Sequence, residues 1–176
     1  MPSAISFERP QKMQIQRSLM FLLAFFAAGP AFSLSCVKPD AVTQYEAARD
    51  SSDLYSLVIG TIQSDTPIAI PERDLSGTGS GPKSADTLAR VSGRVLTAQG
   101  FTGPFDQTVT LRATCISAWC PDAPETEREV FAALRHLEGE LLLEISACPT
   151  NALPWNTDDE ARVLNCHRFE NCVIAE

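Results

Sequence analysis

Several segments of the chain alternate apolar and polar positions. In "LARVSGRVLT" (88–97), Ala89, Val91, Gly93 and Val95 alternate with Arg90, Ser92, Arg94 and Leu96. In "QTVTLRATC" (107–115), Val109, Leu111, Ala113 and Cys115 alternate with Thr108, Thr110, Arg112 and Thr114. A period of two with one apolar side predicts half-buried β-strands. "AQGFTGPFD" (98–106) joins the two as a turn region rich in Gly and Pro. "LYSLVIGTIQ" (54–63) is aliphatic and β-branched, which predicts a strand buried on both faces at its middle. Gly60 inside it marks a bulge or tight bend.

"VFAALRHL" (130–137) and "ELLLEISA" (140–147) flank Glu138-Gly139. The first also carries Val130, Phe131, Leu134 and Leu137 on one helical face, so a helix competes with a strand there. The Gly turn and the alternation of Leu141, Leu143 and Ile145 with Glu140, Leu142 and Glu144 favour a hairpin. Two helices complete the pattern. "DAVTQYEAARDSS" (40–52) spaces Val42, Tyr45 and Ala48 on one side, with Pro39-Asp40 as its start. The second runs from Thr157 to about residue 168, with Thr157 and Glu160 as a capping box and Asp158 and Asp159 in its first turn. Trp155, just before it, is an apolar plug. Residues 64–86 change character: "TPIAIPE" predicts a short edge strand, and "SGTGSGP" reads as a flexible hairpin loop. No strand leads into that Gly-rich loop and no helix leaves it, so it lacks the context of a phosphate cradle.

The N-terminal stretch decides how the cysteines are read. Arg9, Lys12 and Arg17 precede the apolar run "LMFLLAFFAA" (19–28), which is shorter than the roughly 20 residues a bilayer span needs. Ala31 and Ser33 are small residues in the spacing a signal peptidase reads. Residues 1–33 are therefore expected to be a signal peptide, with Met13 as an alternative translation start. Residues 34–176 are expected to form a single disulfide-bonded domain. An alternative reading makes the chain a lipid-anchored envelope component modified at Cys36, although Ser33 stands where a lipobox has leucine.

The leader holds three basic residues and one acidic residue of the chain's 14 and 22. The remainder has 11 against 21, a net charge of −10. That acidity repels nucleic acid and anionic membranes, so no nucleic-acid partner is expected; membrane association is expected only through lipid at Cys36. The expected location is periplasmic or secreted.

All six cysteines, Cys36, Cys115, Cys120, Cys148, Cys166 and Cys172, follow the leader. An even count in a small exported domain predicts disulfides, and six cysteines allow 15 pairings. The spacings C-x4-C and C-x5-C, without C-x2-C or paired histidines, fit zinc poorly, and no redox C-x-x-C is present. No metal or cofactor is expected.

No catalytic constellation is evident either. His136 lies in a strand and His167 near a helix end, each without an evident nucleophile, so both read as surface or dipole-satisfying residues. Cys166 next to His167 carries little weight, because helix neighbours point apart. Trp119, within "CISAWC", is the foremost contact candidate. A short disulfide loop would hold it rigidly at a barrel rim, where it either meets a partner or folds back as a lid. Arg90, Arg94 and Arg112 are placed on one outer face. They serve either solubility and cross-strand pairing or an anion and acidic-partner patch.

The order of elements, with "SC" near the expected mature start, the helix before "LVIGTI", the strand ending at Cys115, and "LEISACPTNALPWNT" running to "LNCHRFENC", resembles the inhibitory domain of the tissue inhibitors of metalloproteinases and the netrin modules, in a distant, exported bacterial-type version. The resemblance spans most of the chain after the leader. It implies a mainly β OB-fold-like barrel of five to six strands, with a short N-terminal helix and a C-terminal helix. It also implies the pairs Cys36–Cys148, Cys115–Cys120 and Cys166–Cys172. On the loop-entropy account the long loop would stabilise by about 4–5 kcal/mol and each local loop by about 2 kcal/mol. The family's N-terminal Cys-x-Cys is missing, since Leu34 stands in the first position, and so is its first-helix cysteine. The zinc-chelating N-terminus of those inhibitors therefore does not carry over. The expected function is that of an exported, non-enzymatic, protein-binding module. The rival reading is an exported hydrolase or an accessory domain of one.

Overall fold

Strand β1 (Tyr55–Gln63) is the hinge of the architecture, because it pairs on both sides: antiparallel with β2 (Lys83–Thr97) and antiparallel with β4 (Glu129–Leu137). The computed structural model describes residues 36, 38–73, 83–116 and 118–174, which lie in one compact unit. Its six strands run in the order β1-β2-β3-β5-β4-β6, and the β1–β4 pairing joins five of them into a barrel-like ring. Strand β3 (Gly100–Cys115) runs antiparallel to β2 and parallel to β5 (Glu140–Ser146). Strand β6 (Ala152–Pro154) adds to the outer edge of β4. The protein is thus mainly β and OB-fold-like, with helices α1 (Ala41–Arg49) and α2 (Thr157–Phe169). The expected signal peptide, the alternative start at Met13 and the Gly-rich "SGTGSGP" all lie outside the described residues.

The alternation of the strands builds two cores. Val58, Val91, Leu111, Ala132, Leu134 and Leu143 point into the ring and are fully buried or nearly so. Leu57, Ile59, Phe131 and Ala133 take the opposite face of β1 and β4, beneath Val42 and Tyr45 of α1 and Val163 of α2. Strands β1 and β4 are consequently buried on both sides, as the aliphatic run of 54–63 predicts. Phe101 meets Phe131 edge-on, with ring centroids 5.9 Å apart.

The β4–β5 hairpin resolves the helix-or-strand ambiguity at 130–137 in favour of a strand. Glu138 (φ 51) and Gly139 (φ 91) both take positive φ, as a two-residue type I′ turn requires. The β2–β3 turn is much tighter than "AQGFTGPFD" implies. Thr97 pairs with Gly100, which leaves Ala98 and Gln99 as the turn, and residues 100–106 are strand. Pro104 is accommodated because that half of β3 has only β2 as a neighbour. Residues 83–86, expected in a loop, begin β2. They pair through polar side chains, Ser84 with Thr114 and Asp86 with Arg112, so they lack the apolar alternation that marks the rest of the strand. "TPIAIPE" forms no strand. Pro67 and Pro71 lack donors, the Ala69 amide donates to the Thr87 hydroxyl at 2.9 Å, and Ile68 and Ile70 pack against the ring's interior.

Two local expectations shift. Gly60 forms no bulge; the register slips instead between Val95 and Leu96. Gly60 faces Gly93 across β1–β2, and a Cβ on Gly60 would lie 2.3 Å from the Ser92 carbonyl oxygen. Helix α2 is capped by Asn156 rather than Thr157: the Asn156 side chain accepts from the Asp159 amide at 2.9 Å, and Thr157 is the first helical residue. At the other end Glu170 closes the helix in the left-handed conformation.

Three disulfides hold the unit: Cys36–Cys148, Cys115–Cys120 and Cys166–Cys172, the same pairs the resemblance implies. They fit an oxidising, extracytoplasmic environment. No helix among the described residues is long and apolar enough to cross a membrane. The Cys36 sulfur, the atom a lipid anchor would use, is bonded to Cys148.

Candidate functional site

The rim after β3 is built by a covalent loop. Cys115 ends the strand, and Cys120 returns to it five residues later. Between them, the Ile116 amide donates to the Trp119 carbonyl at 2.8 Å and the Trp119 amide donates back to the Ile116 carbonyl at 3.0 Å. The two disulfide sulfurs lie 3.5 and 3.7 Å from the Pro71 carbonyl oxygen, in contact with the 64–73 segment. Ile116 (53%) and Trp119 (45%) remain exposed side by side across this bridge. An indole held this way loses little entropy when it is covered by a partner.

The three arginines stand on the outer surface, each with a carboxylate. Arg90 donates twice to Asp106, with 2.6 Å from Nε, and Ser92 adds a third hydrogen bond to the same carboxylate at 2.9 Å. These bonds, Arg90 first, lower the Asp106 pKa from 3.8 to about 2. Arg112 holds Asp86 through two bonds of 2.8 Å, which also lowers the Asp86 pKa. Arg94 reaches α2, donating to Glu160 at 3.2 Å and to the Phe101 carbonyl at 3.1 Å. Beyond Arg112 the charges continue around the ring. Arg112 lies opposite Glu144 in register, Arg135 contacts Glu144 at 3.2 Å, and Arg135 also contacts Asp53 at 3.2 Å. Arg90 and Arg112 form cross-strand ion pairs, and Arg94 pairs with a carboxylate of α2.

The histidines take different roles. His167 is bound at both ring nitrogens: Nε2 lies 3.1 Å from the Thr97 carbonyl and Nδ1 lies 3.1 Å from the Tyr45 hydroxyl. A carbonyl only accepts, so Nε2 carries a proton, and in the neutral ring Nδ1 accepts from Tyr45. His167 thereby ties α2 to α1 and to the β2–β3 turn. His136 has its Nε2 2.9 Å from the Ser56 hydroxyl, a pairing across β1–β4 that sequence spacing could not reveal. The pair is exposed, and no side chain among the described residues hydrogen-bonds His136 Nδ1 to orient the ring. A catalytic triad would need a third group at that nitrogen.

Two further groupings were not foreseen. Glu46 lies close to Cys166 and Cys172, but the two sulfurs are bonded to each other and offer no thiolate. Gln44 sits on the buried side of α1, between Ala41 and Ala48, beside a cavity of about 250 Å³. The available sequence signal is a glutamine on the helical face that also carries Ala41 and Ala48. The fold and rim define a disulfide-bonded, OB-fold-like module. Against protein-family models, curated proteins and solved structures, the chain has no match.

Proposed function

We propose that the chain is an exported, non-enzymatic module, netrin-like or similar to the tissue inhibitors of metalloproteinases, which acts in the periplasm or outside the cell by binding another protein. The observation that carries this reading is the Ile116–Trp119 rim: two exposed apolar side chains on a loop locked by a disulfide and two reciprocal hydrogen bonds. Rigid aromatic anchors of this kind concentrate binding energy. The three disulfides agree with an exported location.

The test is capture of a partner from the native envelope or medium by the oxidised protein, followed by measurement of that complex with Trp119→Ala. A loss of roughly thirtyfold or more in affinity, with the fold intact, supports the rim as the anchor. Unchanged affinity for both Trp119→Ala and Ile116→Ser removes it.

A hydrolase is the second reading, favoured by the Ser56–His136 distance of 2.9 Å. Turnover of ester or peptide substrates that vanishes in Ser56→Ala would establish it. The missing third group at His136 Nδ1 ranks it behind the binding module.

A further inference from the structure

The chain between the Cys115–Cys120 disulfide and β4 forms one wall of a surface groove, and β6 with Trp155 forms the other. The first wall is held to the ring at Glu127, which takes a positive φ of 73 and whose amide donates to the Ile62 carbonyl at 3.5 Å. The second is held by the Trp155 amide, which donates to the Glu129 carbonyl at 3.1 Å. The space between them is about 370 Å³, within the range of small-ligand sites. Pro124, Ala152, Pro154 and Trp155 give it apolar lining, and its charged residues are Asp122, Glu125 and Glu129 against Arg128. These charges do not balance. Arg128 is taken by Glu125 at 2.6 Å. Asp122 and Glu129 are both exposed, and the side chain of neither has a hydrogen bond or an ion pair among the described residues. The three carboxylates do not gather within 4.8 Å of one another, as ligands of a single metal ion would.

We infer that this groove docks a basic side chain, lysine or arginine, presented on a peptide segment of a partner protein. Both side chains end an aliphatic stem in a cation, so the stem covers apolar lining while the head pairs with the free carboxylates. A neutral apolar side chain would draw water away from Asp122 and Glu129 without replacing it, and an acidic side chain would be repelled. The net charge of −10 on residues 34–176 adds a long-range attraction for a basic segment. This gives the protein-binding reading a partner chemistry, yet the groove shares no residue with the Ile116–Trp119 rim, and the two can fail separately.

The test is a ¹⁵N–¹H NMR titration of the oxidised protein carrying Trp119→Ala. The chain has two tryptophans, so the one remaining indole signal is that of Trp155, and the result does not depend on the rim. The probes are acetyl-Ala-Lys-Ala-amide and acetyl-Ala-Arg-Ala-amide. Peptides with norleucine or glutamate at the centre are controls that remove the cation or reverse its sign. The expected result is a saturable, millimolar-range shift of the Trp155 indole and of the Glu129 and Ala152 backbone amides with at least one basic probe. Both controls bind at least tenfold more weakly, and added salt weakens the basic probes. Asp122→Asn with Glu129→Gln, at two exposed positions, lowers the affinity at least tenfold. Arg128→Gln, which releases Glu125, raises it. Glu138→Gln with Glu140→Gln removes as much charge at the far end of β4 and leaves it unchanged. Three outcomes overturn the proposal: a Trp155 indole that responds to neither basic probe, a norleucine peptide that binds as tightly, and a double neutralisation in the groove that costs no more than the one at Glu138 and Glu140.

Discussion

Arg162 of α2 sets its Nη1 2.8 Å from Oδ2 of Asp40, the residue that caps α1. The other oxygen of Asp40 accepts from the Val42 amide at 2.8 Å and the Thr43 amide at 3.2 Å, so one carboxylate starts one helix and fastens a second to it. Asp40 is 9% exposed, and a carboxylate buried to that degree is costly without its cation. Arg162→Met is expected to lower unfolding free energy by about 3 kcal/mol, measured by urea denaturation. Asp40→Asn, which keeps a capping oxygen and removes the charge, is expected to cost less. Equal effects would mean that loss of the ion pair itself, and not a carboxylate left buried without Arg162, sets the cost.

The ring itself was legible where side-chain alternation matched pairing. Residues 88–97, 107–115 and 140–146 are strand as their period predicts, and Glu138-Gly139 turns the chain between two strands. Legibility failed where local chemistry spoke against a strand that tertiary pairing imposes. Gly100, Gly103 and Pro104 look like a turn, yet β2 holds them in register from Thr97 to Arg94. The candidate sites divide the same way. Trp119 stood out because its two flanking cysteines bracket it in the sequence. The Ser56–His136 contact and the cavity at Gln44 exist only once distant segments meet, at separations of 80 residues in the first case and from α1 to β4 in the second.

Gly60 and Gly93 face one another across β1 and β2. Neither has positive φ, so the requirement is space and not conformation. A Cβ on Gly93 would lie 2.1 Å from the Ile59 carbonyl oxygen, and a backbone atom cannot rotate away as a side chain can. Gly93→Ala is expected to destabilise by about 3 kcal/mol or more. Gly139→Ala, whose Cβ meets nothing within 4 Å, pays only for its positive φ and is expected to cost about 1 kcal/mol. Thermal denaturation of the two variants side by side checks the order, and a smaller loss at Gly93 would mean that the two strands can separate there cheaply.

The disulfides differ in the chain length they close. Cys36–Cys148 spans 112 residues and Cys115–Cys120 spans 5. On the loop-closure account, replacing the first pair by serines is expected to cost about 4–5 kcal/mol and replacing the second about 2 kcal/mol. Chemical denaturation of the two double variants reads the difference directly. Equal losses would show that local packing around the sulfurs, and not restriction of the unfolded chain, accounts for their effect.

Asp106 gives the protein an acid-sensitive element. Its carboxylate is bound by Arg90 and Ser92 in the folded ring, and its pKa falls from 3.8 to about 2. A carboxylate with a depressed folded pKa contributes stability in full above its unfolded value and loses that contribution as pH drops through the folded one. The window is therefore pH 4 down to about 2, and stability falls as acid is added. Asp86, lowered by Arg112, acts in the same direction. A carbonyl ¹³C titration of Asp106 in the native protein is expected to show a midpoint near pH 2. Because Arg90 and Asp106 are both well exposed, high salt should move the midpoint back toward 3.8. In Asp106→Asn, the stability lost between pH 4 and pH 2 is expected to be smaller than in the wild type. A midpoint near 3.8 at low salt would mean that the Arg90 bonds do not persist in solution, and the ion pair would then contribute nothing to the acid response.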